Sequence, residues 1–256
     1  MCEKPTVLII SGLDPTGGAG IAKDIITVSE NGCHPLSLIS SLTVQNSIEF
    51  ISTKPINVKY LKAALTALKK EFTFNAIKIG LIPHEPEWIK FLARLLDQFQ
   101  CPVVIDPVIK ASSQKNSEIS VVPGFNSLLN SKNRIITPNF KELRAIYRSY
   151  TDKKGTGTET MARIIVENSG CSVVTTFEGK KDHIMITTLN GESIEKIRVI
   201  NTDKELHGTG CTFSSALASK LATGQNLCSA VSEAAKYVVS KIEKRYIYNK
   251  EGQYFL

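Results

Sequence analysis

Short apolar runs alternate with helix-length amphipathic stretches along almost the whole chain, and this alternation constrains the fold more than any other feature of the sequence. Six runs rich in Val and Ile read as strands, at 6–11, 36–42, 76–80, 103–106, 134–137 and 172–176. Helical periodicity falls between them, over 19–30, 58–72, 85–99, 141–150 and 158–168, and glycines such as Gly32 and Gly170 close several of these stretches. Strands that are apolar throughout need cover on both faces. Right-handed crossovers between them then predict an α/β fold, a three-layer αβα sandwich around a mostly parallel central sheet.

Residues 183–200 lack a helical period and contain Asn190-Gly191, a strong hairpin signal, so an antiparallel edge is expected there. Two more helices follow, at 209–222 and 227–246, with apolar faces suited to core packing. The polar, Ser-rich residues 110–120 are the best candidate for a mobile loop over a site. With 256 residues and no linker or repeat, the chain reads as one domain, residues 1–256, that can bury roughly 70–75% of its unfolded surface without staples.

The formal charge of +7 favours an anionic partner, yet the basic residues are spread along the chain, with only short clusters such as Lys69-Lys70 and 241–245. No zinc finger, RNP motif or basic arm is present, so a nucleic-acid partner is not expected. Nor is a membrane partner: no run approaches the ~20 apolar residues that span a bilayer. Met1 to Pro5 lead straight into a strand-like run, so a cytoplasmic protein is expected. The six cysteines stand far apart with no zinc or disulfide spacing, and most are expected to be reduced, buried and structural.

Four segments carry candidate chemistry. Ser11 to Gly20 is a glycine-dense turn between the first strand and its helix, where backbone amides approach ligands in open α/β sheets, although it is neither a Walker loop nor a dinucleotide fingerprint. Asp24 falls one helical turn behind it, either lining a pocket or simply facing solvent. Gln45-Asn46 ends the second strand and offers amides able to read a mixed donor–acceptor ring. His207-Gly208-Thr209-Gly210-Cys211 opens a helix, where bared amides and the helix dipole make an anion site and lower a thiol pKa. Asn139 suits a helix cap, with Glu142 either completing a capping box or holding Mg²⁺; Asp106, at another strand end, is the second carboxylate.

Together these segments resemble the hydroxymethylpyrimidine/phosphomethylpyrimidine kinase family of the ribokinase-like superfamily. The matching residues are Gly12 to Asp24, Val44-Gln45-Asn46, Lys78-Ile79-Gly80, Asp106-Pro107-Val108, Thr137-Pro138-Asn139 with Glu142, and His207 to Cys211. The resemblance implies ATP and Mg²⁺, phosphorylation of a hydroxymethylpyrimidine and often of its monophosphate, and assembly into homo-oligomers. It also implies that Gln45 reads the pyrimidine, with Gly12, Asp24, Leu81 and Val108 lining its pocket. Asn139, Glu142 and Thr176 would serve the nucleotide, Glu142 and Asp106 the metal, and Gly208, Thr209, Gly210 and Cys211 the anion hole, with the acceptor hydroxyl deprotonated either by Cys211 as thiolate or through phosphate and metal positioning alone. The chain departs from the family at Leu81, where Met is usual, at Phe177-Glu178-Gly179-Lys180, which replace Lys-Gly-Gly-His, and at Asp203 to Leu206, which separate Asn201-Thr202 from His207. A pyridoxal kinase on the same fold, and a weakly active paralogue that binds a pyrimidine or nucleotide, are the competing readings.

Overall fold

Successive residues of the first strand part to opposite faces, as a pleat requires: Val7 and Ile9 enter one core, Leu8 and Ile10 the other, and none of the four is exposed. The computed structural model describes residues 4–46, 49–108, 121–152, 157–177, 183–189, 194–200, 207–243, 246–247 and 254–255. In chain order the elements are β1 (Thr6–Leu13), α1 (Gly20–Glu30), β2 (His34–Gln45), β3 (Phe50–Pro55), α2 (Val58–Lys69), β4 (Ala76–Ile79), α3 (Pro86–Leu96), β5 (Val103–Ile105), β6 (Arg134–Ile136), α4 (Phe140–Arg148) and α5 (Thr158–Ser169). They continue with β7 (Ser172–Phe177), β8 (His183–Leu189), β9 (Ile194–Ile200), α6 (Thr209–Ala222) and α7 (Leu227–Glu243).

These strands form one nine-stranded sheet in the order β3-β2-β1-β4-β5-β6-β7-β8-β9. The six strands from β2 to β7 in that order are parallel neighbours, while β3 and β8 pair antiparallel at the two ends. The first core packs α2, α3, α4 and α5 on one face, and the second packs α1, α6 and α7 on the other. The αβα sandwich and the antiparallel edge over 183–200 are as expected. Helix α3 alone buries Trp88, Ile89, Leu92, Leu95 and Leu96, each worth roughly 1.5–3 kcal/mol against exposure.

Three strands escaped the sequence reading: β3, and the short pair β10 (Tyr246–Ile247) and β11 (Tyr254–Phe255), a separate two-stranded sheet that takes Tyr246 out of the helix expected over 227–246. β3 has no apolar run, because as an edge strand it leaves four consecutive residues exposed and ends on Pro55. Helices α2, α3 and α7 stop three residues, and α4 two, short of the stretches read from the sequence. Of the five described cysteines, all free, Cys33 and Cys171 are buried but Cys101, Cys211 and Cys228 are only half-buried, against the expectation of mostly buried thiols. Residues 110–120, Asn190-Gly191 and 201–206 lie outside the described residues. Among the described residues no helix is long and apolar enough to cross a membrane.

Candidate active site

Because β2 and β4 flank β1 on opposite sides, the chain leaves β1 in both directions and opens a crevice at the carboxyl ends of β1 and β4, where such sheets take ligands. The loop from β1 to α1, the residues after β4 and β5, and the start of α6 all converge there. Gly12 and Leu81 touch: a Cβ on Gly12 would lie 2.8 Å from Leu81 Cδ2. The other join is backbone on backbone. Gly208, the N-cap of α6, has φ 89°, and a Cβ there would fall 2.0 Å from the Gly18 carbonyl oxygen. Only glycine fits this place. No side chain caps α6, so the amides of its first turn, over Thr209, Gly210 and Cys211, make up the positive end of the helix dipole.

Asp14 ties the loop together. Its Oδ1 accepts from the Thr16 amide at 2.9 Å and the Thr16 hydroxyl at 2.8 Å. Its Oδ2 accepts from the Ala19 amide at 3.0 Å and lies 2.9 Å from His207 Nε2. The Gln45 side chain also bonds to it, and since a carboxylate only accepts, Gln45 donates an amide N–H. Burial opposes the Asp14 charge, but the bonds from His207, Thr16 and Gln45 outweigh it and hold its carboxyl down at about 2.

Beneath the loop lies a buried ion pair. Lys78 Nζ is 2.8 Å from both oxygens of Asp24, with neither side chain exposed, and the Ser215 hydroxyl donates to Asp24 Oδ1 at 2.8 Å. The pleat explains it: Lys78 shares a face with Ala76, toward α1 and α6. Burial would strip the Lys78 proton, but the Asp24 charge and the neighbouring acidic groups reverse that and raise its pKa. Asp24 is therefore a sealed counter-ion to Lys78. It neither lines the acceptor pocket nor faces solvent, and it sits in the second turn of α1, beyond the dipole's first-turn reach.

Cys211 and Asp106 face each other next to that pair. The Cys211 thiol bonds to Asp106, its sulfur accepts from the Gly20 amide, and the Ser214 hydroxyl donates to Asp106 Oδ2 at 3.3 Å. Burial pushes the thiol up to about 12, with Asp24 and Asp106 adding to the rise while Lys78 opposes it. The lowered thiol pKa expected at a helix start is thus overturned. Burial also raises the Asp106 pKa, against the pull of Lys78.

The remaining candidates lie along the same strand ends. Asn139 caps α4 in a full capping box: its side chain accepts from the Glu142 amide at 3.0 Å, and Glu142 Oε2 accepts from the Asn139 amide at 2.9 Å. Val108 follows β5, half-buried, beside a small cavity that Ile79, His84, Val122 and Phe125 help to line. Thr176 sits in β7 opposite Ile186, and its side chain lies outside the described residues. A larger groove of about 410 Å³, between α3 and the turn at 123–130, holds none of these residues. Sequence reasoning gave no role to Asp14, His207 or Lys78. The lysine had a signal, since a cation inside an otherwise apolar strand demands a buried carboxylate.

Residues 14–254 match the phosphomethylpyrimidine kinase family. A hydroxymethylpyrimidine/phosphomethylpyrimidine kinase of Haemophilus influenzae is 30% identical over 251 residues, covering 94% of this chain and 92% of that one. A bifunctional thiamine biosynthesis protein of Methanocaldococcus jannaschii is 28% identical over 97% of this chain, which spans only 54% of that protein's length. A Bacillus subtilis pyridoxal kinase solved with ADP superposes with a TM-score of 0.81 at 25% identity, covering 97% of this chain and 95% of that one.

Proposed function

The chain belongs to the phosphomethylpyrimidine kinase family, and from that premise we propose that it transfers the γ-phosphoryl group of ATP to the hydroxymethyl group of 4-amino-5-hydroxymethyl-2-methylpyrimidine, to its monophosphate, or to both, in thiamin biosynthesis. The observation that carries this reading is the backbone contact between Gly208 and Gly18, which sets the anion-holding turn of α6 directly against the glycine-dense loop of the acceptor side. A group held by the amides of Gly208 to Cys211 then lies next to whatever Gly12, Leu81, Val108 and Gln45 enclose.

The residues fit a nucleotide phosphate: an uncapped helix start, bared by Gly208 and Gly210, offers donors where negative charge spreads during in-line transfer. Asn139, Glu142 and Thr176 are assigned to the nucleotide side. Magnesium, when bound, neutralises phosphate charge, and Glu142 is the carboxylate assigned to it. Asp106 suits proton handling better than the metal role expected of it, because its carboxyl is buried, raised in pKa and bonded to the Cys211 thiol. In the proposed step the acceptor hydroxyl loses its proton to the Cys211 sulfur as the thiol passes its own proton to Asp106, so no free thiolate is needed. The partners are ATP and the small pyrimidine. Homo-oligomer assembly is part of the proposal, supported by the open β3 edge and the exposed Leu42, Val44 and Ile51 beside it.

Pyridoxal is the second acceptor to weigh, because the Bacillus subtilis structure with the same fold is a pyridoxal kinase. ATP consumption measured side by side with the hydroxymethylpyrimidine, its monophosphate and pyridoxal decides between them. Turnover with either pyrimidine well above that with pyridoxal is expected. Preference for pyridoxal would replace the acceptor, and no turnover with any of the three would leave a protein that only binds.

A further inference from the structure

We propose that Asp14 and His207 form a bridge that couples the acceptor pocket to the anion hole, so that filling either side favours filling the other. The inference deepens the kinase reading and rests on it.

Asp14 joins three separate parts of the site. It holds its own loop through Thr16 and Ala19, it receives the amide of Gln45 at the end of β2, and it lies 2.9 Å from His207, the residue before the N-cap of α6. At 3% exposure Asp14 is sealed, whereas His207, at 21%, is half-buried. The Thr43 hydroxyl, donating to the Leu13 carbonyl at 2.7 Å, pins the end of β2 to the same loop.

The Gly208–Gly18 contact limits how close the two loops come but not how one turns on the other, because van der Waals contact between backbones has little direction. A charge-assisted hydrogen bond supplies that direction. With Asp14 ionised, Nε2 of His207 must carry the proton that is shared. Nε2 is thus the nitrogen committed to Asp14, and in this bridge His207 acts as a positioning residue. A ligand that orders Gln45 or the β1–α1 loop thereby also orders the turn that holds the phosphoryl group, and the reverse follows by reciprocity.

The test is calorimetric titration of the parent, His207→Ala and His207→Gln with a non-hydrolysable ATP analogue and Mg²⁺, each with and without saturating hydroxymethylpyrimidine. In the parent each ligand should tighten the other by about 5-fold or more. In His207→Ala that factor should fall toward one while each affinity measured alone changes by less than about threefold. Glutamine, whose amide N–H can reach Asp14, should restore part of the coupling, which a merely structural role would not predict. Should His207→Ala fail to fold, Asp14→Asn takes its place, because it keeps the shape but turns an acceptor toward a donor. Ligands that bind the parent independently, or coupling that survives in full in His207→Ala or its substitute Asp14→Asn, would overturn the bridge and leave the kinase reading standing. A parent that binds neither ligand would overturn both.

Discussion

At Cys211 two effects oppose each other. The dipole of α6, the Gly20 amide and the Lys78 ammonium favour a thiolate, whereas burial and the carboxylates of Asp24 and Asp106 favour the thiol, and burial wins, with the pKa pushed up to about 12. The sign is clear: a raised thiol pKa leaves the sulfur protonated throughout the neutral range. Alkylation of Cys211 by iodoacetamide, followed by peptide mass spectrometry, should be slow at pH 7 and accelerate only above about pH 10. Labelling at pH 7 as fast as a free cysteine would show a thiolate there and remove the need for Asp106 as proton acceptor. The residues of this cluster were unequally visible in the sequence. Cys211 and Asp106 stood out by their place at element ends. The Asp24–Lys78 pair did not, because its partners are 54 positions apart and meet only once α1 and β4 are both packed against α6.

At the scale of elements, the register of two loops depends on one residue without a side chain. Gly208→Ala must place a Cβ 2.0 Å from the Gly18 carbonyl oxygen at φ 89°, and the left-handed conformation alone costs roughly 1–2 kcal/mol. Gly224 is the matched control, since it has φ 84° with nothing within 4 Å of an added Cβ. The thermal midpoint of Gly208→Ala should fall by roughly 4 °C or more, and clearly further than that of Gly224→Ala, which carries the backbone term alone. Equal falls for the two variants would mean that the loops move apart freely. Elements with an apolar period, such as β1 and α6, were readable in advance because burial itself writes that period. β3 and the ends of α2, α3 and α7 were not, since an exposed edge strand has no such pattern and helix ends are set by local capping and tertiary contacts.

Across the whole molecule, the sheet is sealed on the site side by charge as well as by apolar packing. Removing one partner of a buried ion pair leaves the other uncompensated, so Lys78→Met should destabilise the protein by about 3–5 kcal/mol in urea titration. Adding Asp24→Asn, which retains an acceptor for Ser215, should recover a good part of that loss. A single variant as stable as the parent would show that water or a counter-ion enters the cavity. The two-faced core has a further consequence for biogenesis. Strands β1, β4, β5 and β6 all turn residues toward α6 and α7, which follow all four of them in the chain. Until residues 209–243 emerge, Val7, Ile9, Ala76, Val104 and Ile135 lack most of their cover, and chains released early would present that bare face to one another. The helix that covers this face also begins at the Gly208 turn, so the second core and the proposed anion hole form together.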